Sequence, residues 1–267
     1  MKVTGLVAPP SRLLIASSIA FLSAFAFPTP ARAVGDWVGF EAAPWLQDLQ
    51  GRVAIDDGSV QGTTADLQET LDLDDRTGAP QGRLWFRLGK NRLIVDYADS
   101  SRDGTQTLTQ SLTFNGTTFV VSEDVSTALD MRFLQAQYRY TFLDLKLVEF
   151  GGGLGLNVVQ FDMDVVGSTA GSSALYEDIP YPSANLAVVV KPLPGFRIRG
   201  EVNGISATVS GTSVDVFDAR IQMEYYFAHS FGVFAGYRDF DFDVDSGDFG
   251  AVDVSFEGVY LGLGLKF

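Results

Sequence analysis

The sequence predicts an all-β chain: a single up-and-down antiparallel transmembrane β-barrel of ten strands, with eight or twelve as the alternatives. Three observations predict it. In the closing stretch, Ala251 to Phe267, the residues Phe267, Leu265, Leu263, Leu261 and Val259 share one face of an extended strand. Lys266, Gly264, Gly262, Tyr260 and Gly258 share the other. Stretches with the same period of two recur from about Val38 to the end. Beyond one N-terminal run, nothing approaches the roughly 18 consecutive apolar residues of a spanning helix, so a chain of this pattern crosses a bilayer as strands.

The first element in chain order is an export segment. Lys2 and Arg12 flank the apolar run Leu13 to Phe27, and Ala31-Arg32-Ala33 follows, the pattern of a secretory signal peptide over 1–33. With Pro28 and Pro30 directly behind it, the run is too short to anchor the chain. Residues 34–267 then form one barrel domain.

Strand 1 is expected over about Val38 to Asp56, with Val53 and Ile55 opposing Arg52 and Ala54. Asp57 to Ala79 is a long acidic connection in which Thr64 caps a short helix. Strand 2, Gln81 to Leu88, sets Leu84, Phe86 and Leu88 against Arg83, Trp85 and Arg87. After the turn Gly89–Asn91, strand 3 sets Leu93, Val95 and Tyr97 against Arg92 and Asp96, and runs to Phe114 through a bulge near Ser100–Gly104. Asn115-Gly116 is a hairpin turn, because both central residues of a type I′ turn need positive φ. Strand 4 returns through Phe119 and an irregular Ser122–Ser126 to Phe142, with Gln135, Gln137 and Arg139 inward.

Strand 5, Lys146 to about Asp164, carries Gly151-Gly152-Gly153 and Gly155, small residues that let neighbouring long side chains cross the interior. No helix pattern and no Lys-Ser/Thr follow, so this is not a phosphate-binding loop. The loop Val165–Leu175 leads to strand 6, ending on Ala184, Leu186, Val188 and Val190. Pro192–Gly195 turns into strand 7, where Arg197, Arg199, Glu201 and Asn203 share a face. Strand 8 sets Phe217, Ala219, Ile221, Met223, Tyr225 and Phe227 against Asp218, Arg220, Gln222 and Glu224. Ala228–Ser230 turns into strand 9, Phe231 to about Asp245, and strand 10 closes the chain. Counted back from Phe267, the short turns all fall at one end and the longer loops at the other, as in membrane barrels.

A net charge of −14, deepened by loss of the three cations in 1–33, argues against nucleic acid as a partner. There is no cysteine, so disulfides, thiolate metal sites and thiol nucleophiles are excluded.

The closing strand, with terminal Phe267 and the alternating Leu265 and Leu263, resembles that of the small Gram-negative outer-membrane β-barrel proteins, the porin-like and OmpA-like class. The resemblance implies location in the bacterial outer membrane. It also implies outer-membrane lipid and lipopolysaccharide as surroundings, and insertion by the β-barrel assembly machinery, which reads those three residues as a signal. It implies no cofactor.

Some barrels of this architecture are enzymes: lipid A deacylases, surface phospholipases and omptin-type proteases, each relying on a histidine with a serine or acidic partner. Here the one histidine, His229, falls in a turn on the periplasmic side, and the expectation is that the protein is not an enzyme. Asp241, Asp243 and Asp245 recur on one face of strand 9 and make a Ca²⁺ candidate, since that ion prefers several oxygen ligands. The competing reading is a solvated acidic rim. The predicted lumen carries Arg52, Arg83, Arg87, Asp96, Arg139, Glu149, Lys191, Arg197, Arg199, Glu201, Arg220, Glu224 and Arg238. Ion-paired, these fill a narrow bore and make a structural or surface protein; left open, they make a narrow channel or a transporter for small or hydrophobic solutes.

Overall fold

The computed structural model describes residues 37–267 except 59, 210, 228 and 229. The expected signal peptide and His229 lie outside the described residues. Thirteen strands follow in order: β1 (Val38–Ile55), β2 (Ala65–Asp66), β3 (Arg76–Leu88), β4 (Asn91–Thr107), β5 (Leu112–Phe114), β6 (Thr117–Phe119), β7 (Asp124–Asp144), β8 (Val148–Gly167), β9 (Gly171–Leu193), β10 (Phe196–Val209), β11 (Thr212–Phe227), β12 (Phe231–Ser246) and β13 (Gly250–Lys266). Ten of them, all but β2, β5 and β6, pair antiparallel in chain order and close through β13 on β1. At that seam Phe267 exchanges backbone hydrogen bonds with Val38 and accepts one from Trp37 at 2.7 Å.

Near the turns next to Phe267 the alternation runs as the sequence predicts. Leu156 (73% exposed) and Leu261 (67%) point outward into an apolar band, while Gln137, Arg139, Asn185 and Arg199 point inward. Toward the other end the two faces exchange character. Outward residues change from Leu46 to Asp48, from Leu134 to Arg132, and from Val259 to Glu257, and inward ones become Trp45, Phe133, Phe240, Phe242 and Phe256. The barrel has two storeys: one with an apolar coat and a charged interior, the other with a polar coat and an apolar core. The expectation that Arg52 lies in the lumen, with Val53 and Ile55 on the opposite face, is corrected. Where water replaces hydrocarbon outside, the apolar face must turn inward, and the alternation itself is unchanged.

The connections also differ from expectation. β4 pairs with β7 without interruption from Asn91 to Thr107, so strand 3 has no bulge at Ser100–Gly104 and Phe114 is not part of it. Asn115 and Gly116 do take positive φ, but they turn the separate hairpin β5–β6. Its Leu112, Phe114 and Phe119 pack onto the apolar core beside Leu67, Leu71 and Leu73 of the preceding loop. That loop holds no helix: Asp66, rather than Thr64, accepts from the amides of Gln68 and Glu69 in a short turn.

Candidate functional site

The charged interior is the candidate site. β3 and β4 are paired so that Arg83 faces Asp96, and the guanidinium grips that carboxylate with two bonds of 2.7 and 3.1 Å. The third arm of Arg83 crosses the bore to Glu201 on β10 at 2.6 Å, and Arg139 on β7 reaches the other Glu201 oxygen at 2.5 Å. One carboxylate thus braces three strands that are not neighbours in the wall. Arg199 joins Glu41 on β1 at 2.6 Å and Glu224 on β11 at 2.7 Å. Asp218 takes two bonds of 2.9 Å from Arg238, and Arg220 links Asp218 to Asp96. Lower down, Glu149 gathers Arg87 and Lys191, and Arg197 lies over the Tyr226 ring at 5.6 Å. Planar, two-pronged guanidinium–carboxylate contacts fix geometry as well as charge.

Glycine makes this traffic possible. A Cβ at Gly155 would stand 2.7 Å from Oγ of Ser183 and 3.2 Å from Cγ of Gln137, so this glycine of β8 leaves room for side chains of β9 and β7. Small voids lie among these side chains. One, of about 20 Å³, lies among Glu41, Arg83, Asp96 and Arg220; another, of about 10 Å³, lies among Trp85, Arg92 and Arg199. Each has room for about one water. Above the network, Arg238 lies over the rings of Trp45 at 4.8 Å and Phe240 at 5.4 Å, where charge gives way to packed aromatics.

The eleven central lumen positions, Arg83, Arg87, Asp96, Arg139, Glu149, Arg197, Arg199, Glu201, Arg220, Glu224 and Arg238, all take inward-facing positions in one network or beside it. Arg52 does not: it faces outward in the polar-coated storey and pairs with Asp253 at 3.2 Å. Glu41 belongs to the network and is not among the lumen residues that the sequence predicts. Counting by twos from Trp45 or Ala43 toward the start of β1 finds it, whereas counting from Arg52 as a lumen residue places it outside. Arg102 is likewise not among them. It is buried below the outer loops, where it donates to the carbonyl oxygens of Gln47 and Asp74. Asp241, Asp243 and Asp245 alternate along the outward face of β12, and among the described residues no three acidic groups gather closely enough to hold a metal ion.

No family model and no curated protein matches the chain. Solved structures do. The outer-membrane protease OmpT of Escherichia coli aligns at 10% identity with a TM-score of 0.52, over 90% of this chain and all of OmpT. The attachment invasion locus protein Ail of Yersinia pestis aligns at 10% identity and a TM-score of 0.35, over 87% of this chain and all of Ail. The toluene transporter TodX of Pseudomonas putida aligns at 11% and 0.35, over 87% of this chain and 91% of its own. The first of these corrects the expectation that the protein is not an enzyme. OmpT is a protease on this architecture, so the barrel itself does not set the chain outside catalysis, and at 10% identity the likeness shows the fold alone. The chain is a closed ten-strand antiparallel β-barrel whose fold is similar to that of small outer-membrane barrel proteins.

Proposed function

We propose that this protein is a closed barrel of the bacterial outer membrane that conducts no ions and holds its polar-coated storey out at the cell surface. The observation that carries this is the cross-braced interior, in which Glu201, Asp96 and Asp218 each bind two arginines around voids about the size of one water. An ion crossing the bore would have to part several buried, charge-assisted pairs at once. Insertion by the assembly machinery through Phe267, Leu265 and Leu263 belongs to the same reading, as does embedding in lipopolysaccharide-containing membrane. The test is single-channel recording of the refolded barrel in planar bilayers. No conductance steps are expected, and discrete steps from the unmodified protein would defeat the proposal.

A further inference from the structure

Two seams of the wall part before the strands end. Between β3 and β4 pairing stops at Gln81 and Ala98, and the loop before β3 fills the gap: Asp74 donates to the Asp103 carbonyl at 3.3 Å, and Leu71 and Leu73 are buried there. Between β9 and β10 pairing stops at Ala184 and Gly204. β9 continues to Gly171, held on one side by β8, and β10 continues to Val209, held on one side by β11. Here the gap opens on a cavity of about 580 Å³, inside the range of small-molecule sites.

The cavity's inner lining is apolar: Ile179, Tyr181, Ile205, Val214 and Phe249. One inward position below Ile205 stands Asn203, 5% exposed, and neither its amide nitrogen nor its amide oxygen has a hydrogen-bond partner. The amide oxygens of Asn157, cross-strand from Tyr181, and of Gln135 are likewise buried and unpartnered. A buried amide left without partners costs free energy that a ligand or water hydroxyl would recover. Glu177, Asp178 and Asp248 stand at the mouth, where their charge repels anions. Pro180 and Pro182 lie on the free stretch of β9 and supply no N–H, which disfavours an added strand as the occupant. Along β9 the outward residues pass from Leu186 and Ala184 to these prolines and then to Asp178, so the opening sits at the outer edge of the apolar band.

We propose that the β9–β10 cleft is a lateral binding site for a small uncharged amphipath, an alkyl or aryl body carrying one hydroxyl or carbonyl, which enters from the membrane–water boundary. The apolar body lies against Ile179, Ile205 and Phe249, and its polar group turns toward Asn203. The site is separate from the sealed bore, so binding requires no conductance.

The test is photolabelling of the intact barrel in phosphatidylcholine nanodiscs with a diazirine-bearing decanol, followed by peptide mass spectrometry. Expected are adducts on β9 from Ile179 to Tyr181 or on Ile205 or Phe249, competed away by excess decanol and at least about tenfold less well by decanoate. Ala207→Trp, which fills the cavity, removes the adducts. Asn203→Leu weakens competition by decanol but not by decane. Adducts confined to lipid-facing residues such as Leu186 and Ile221, or cavity adducts that decanol does not displace, would overturn the proposal. Equal competition by decanoate would overturn the assignment of an uncharged ligand. The competition arms use the unmodified chain, so they stand even where a variant fails to fold.

Discussion

Glu201 shows how much one inward side chain carries. It neutralises Arg83 and Arg139 at once, so Glu201→Ala leaves Arg139 buried without a carboxylate and Arg83 with Asp96 alone. Breaking a buried pair from one side costs about 3–5 kcal/mol, and urea unfolding from vesicles should show a loss of that size. A loss below about 1 kcal/mol would mean that water already screens the network. A second carboxylate works in the polar-coated storey. Glu123, ahead of β7, accepts backbone amides from Ala170 and Thr169 at 2.6 Å and from Val120 at 3.0 Å, which hold its pKa below the ordinary glutamate range. Because the folded pKa is depressed, its contribution to stability is complete above the unfolded value of about 4.3 and is lost as pH falls through the lower folded one. Glu123→Gln should be less stable than the parent at neutral pH and should lose less on acidification across that window; parallel acid unfolding curves would refute the role. Arg83, Asp96 and Glu201 were legible by parity alone, but their pairing across the bore was not, since it depends on strands far apart in sequence.

Among elements, most strands could be read from their own period of two, and short turns such as Gly89–Asn91 and Pro192–Gly195 from their residues, but the longer joins could not. Asn115-Gly116 carries a turn signal that the structure honours, yet the signal is local and says nothing about which strands the turn connects. The same limit applies to the β9–β10 seam, where both strands have good local patterns and still do not pair beyond Gly204. Glycine and aromatic placement is a further non-local fit. Gly39 on β1 faces Trp85 on β3, and a Cβ there would stand 2.3 Å from the indole, over which Arg92 lies at 5.0 Å. Gly39→Val should therefore displace the indole at a cost of about 1–3 kcal/mol. Adding Trp85→Ala should recover part of it, giving a coupling well above the scatter of about 0.5 kcal/mol for independent sites. Strict additivity would show that the two positions do not share that space.

At the scale of the molecule the two storeys answer to different solvents. Phe256, fully buried among Trp45, Phe133 and Phe240, should lose about 3–5 kcal/mol on truncation to alanine, as in a water-soluble core. Leu261→Ala on the lipid-facing band should lose only the transfer term, ~1–2 kcal/mol, because no packed neighbour is left facing a cavity. Equal losses in denaturant titrations from vesicles would remove the distinction. By itself the sequence determined the strand class, the alternation and which residues share a face, because side-chain direction in an extended chain is set within a few bonds. Only the tertiary structure decided which of the two faces is inside at a given height, which arginine meets which carboxylate, and where the wall parts. Those depend on the medium outside each segment and on strands brought together from opposite ends of the chain.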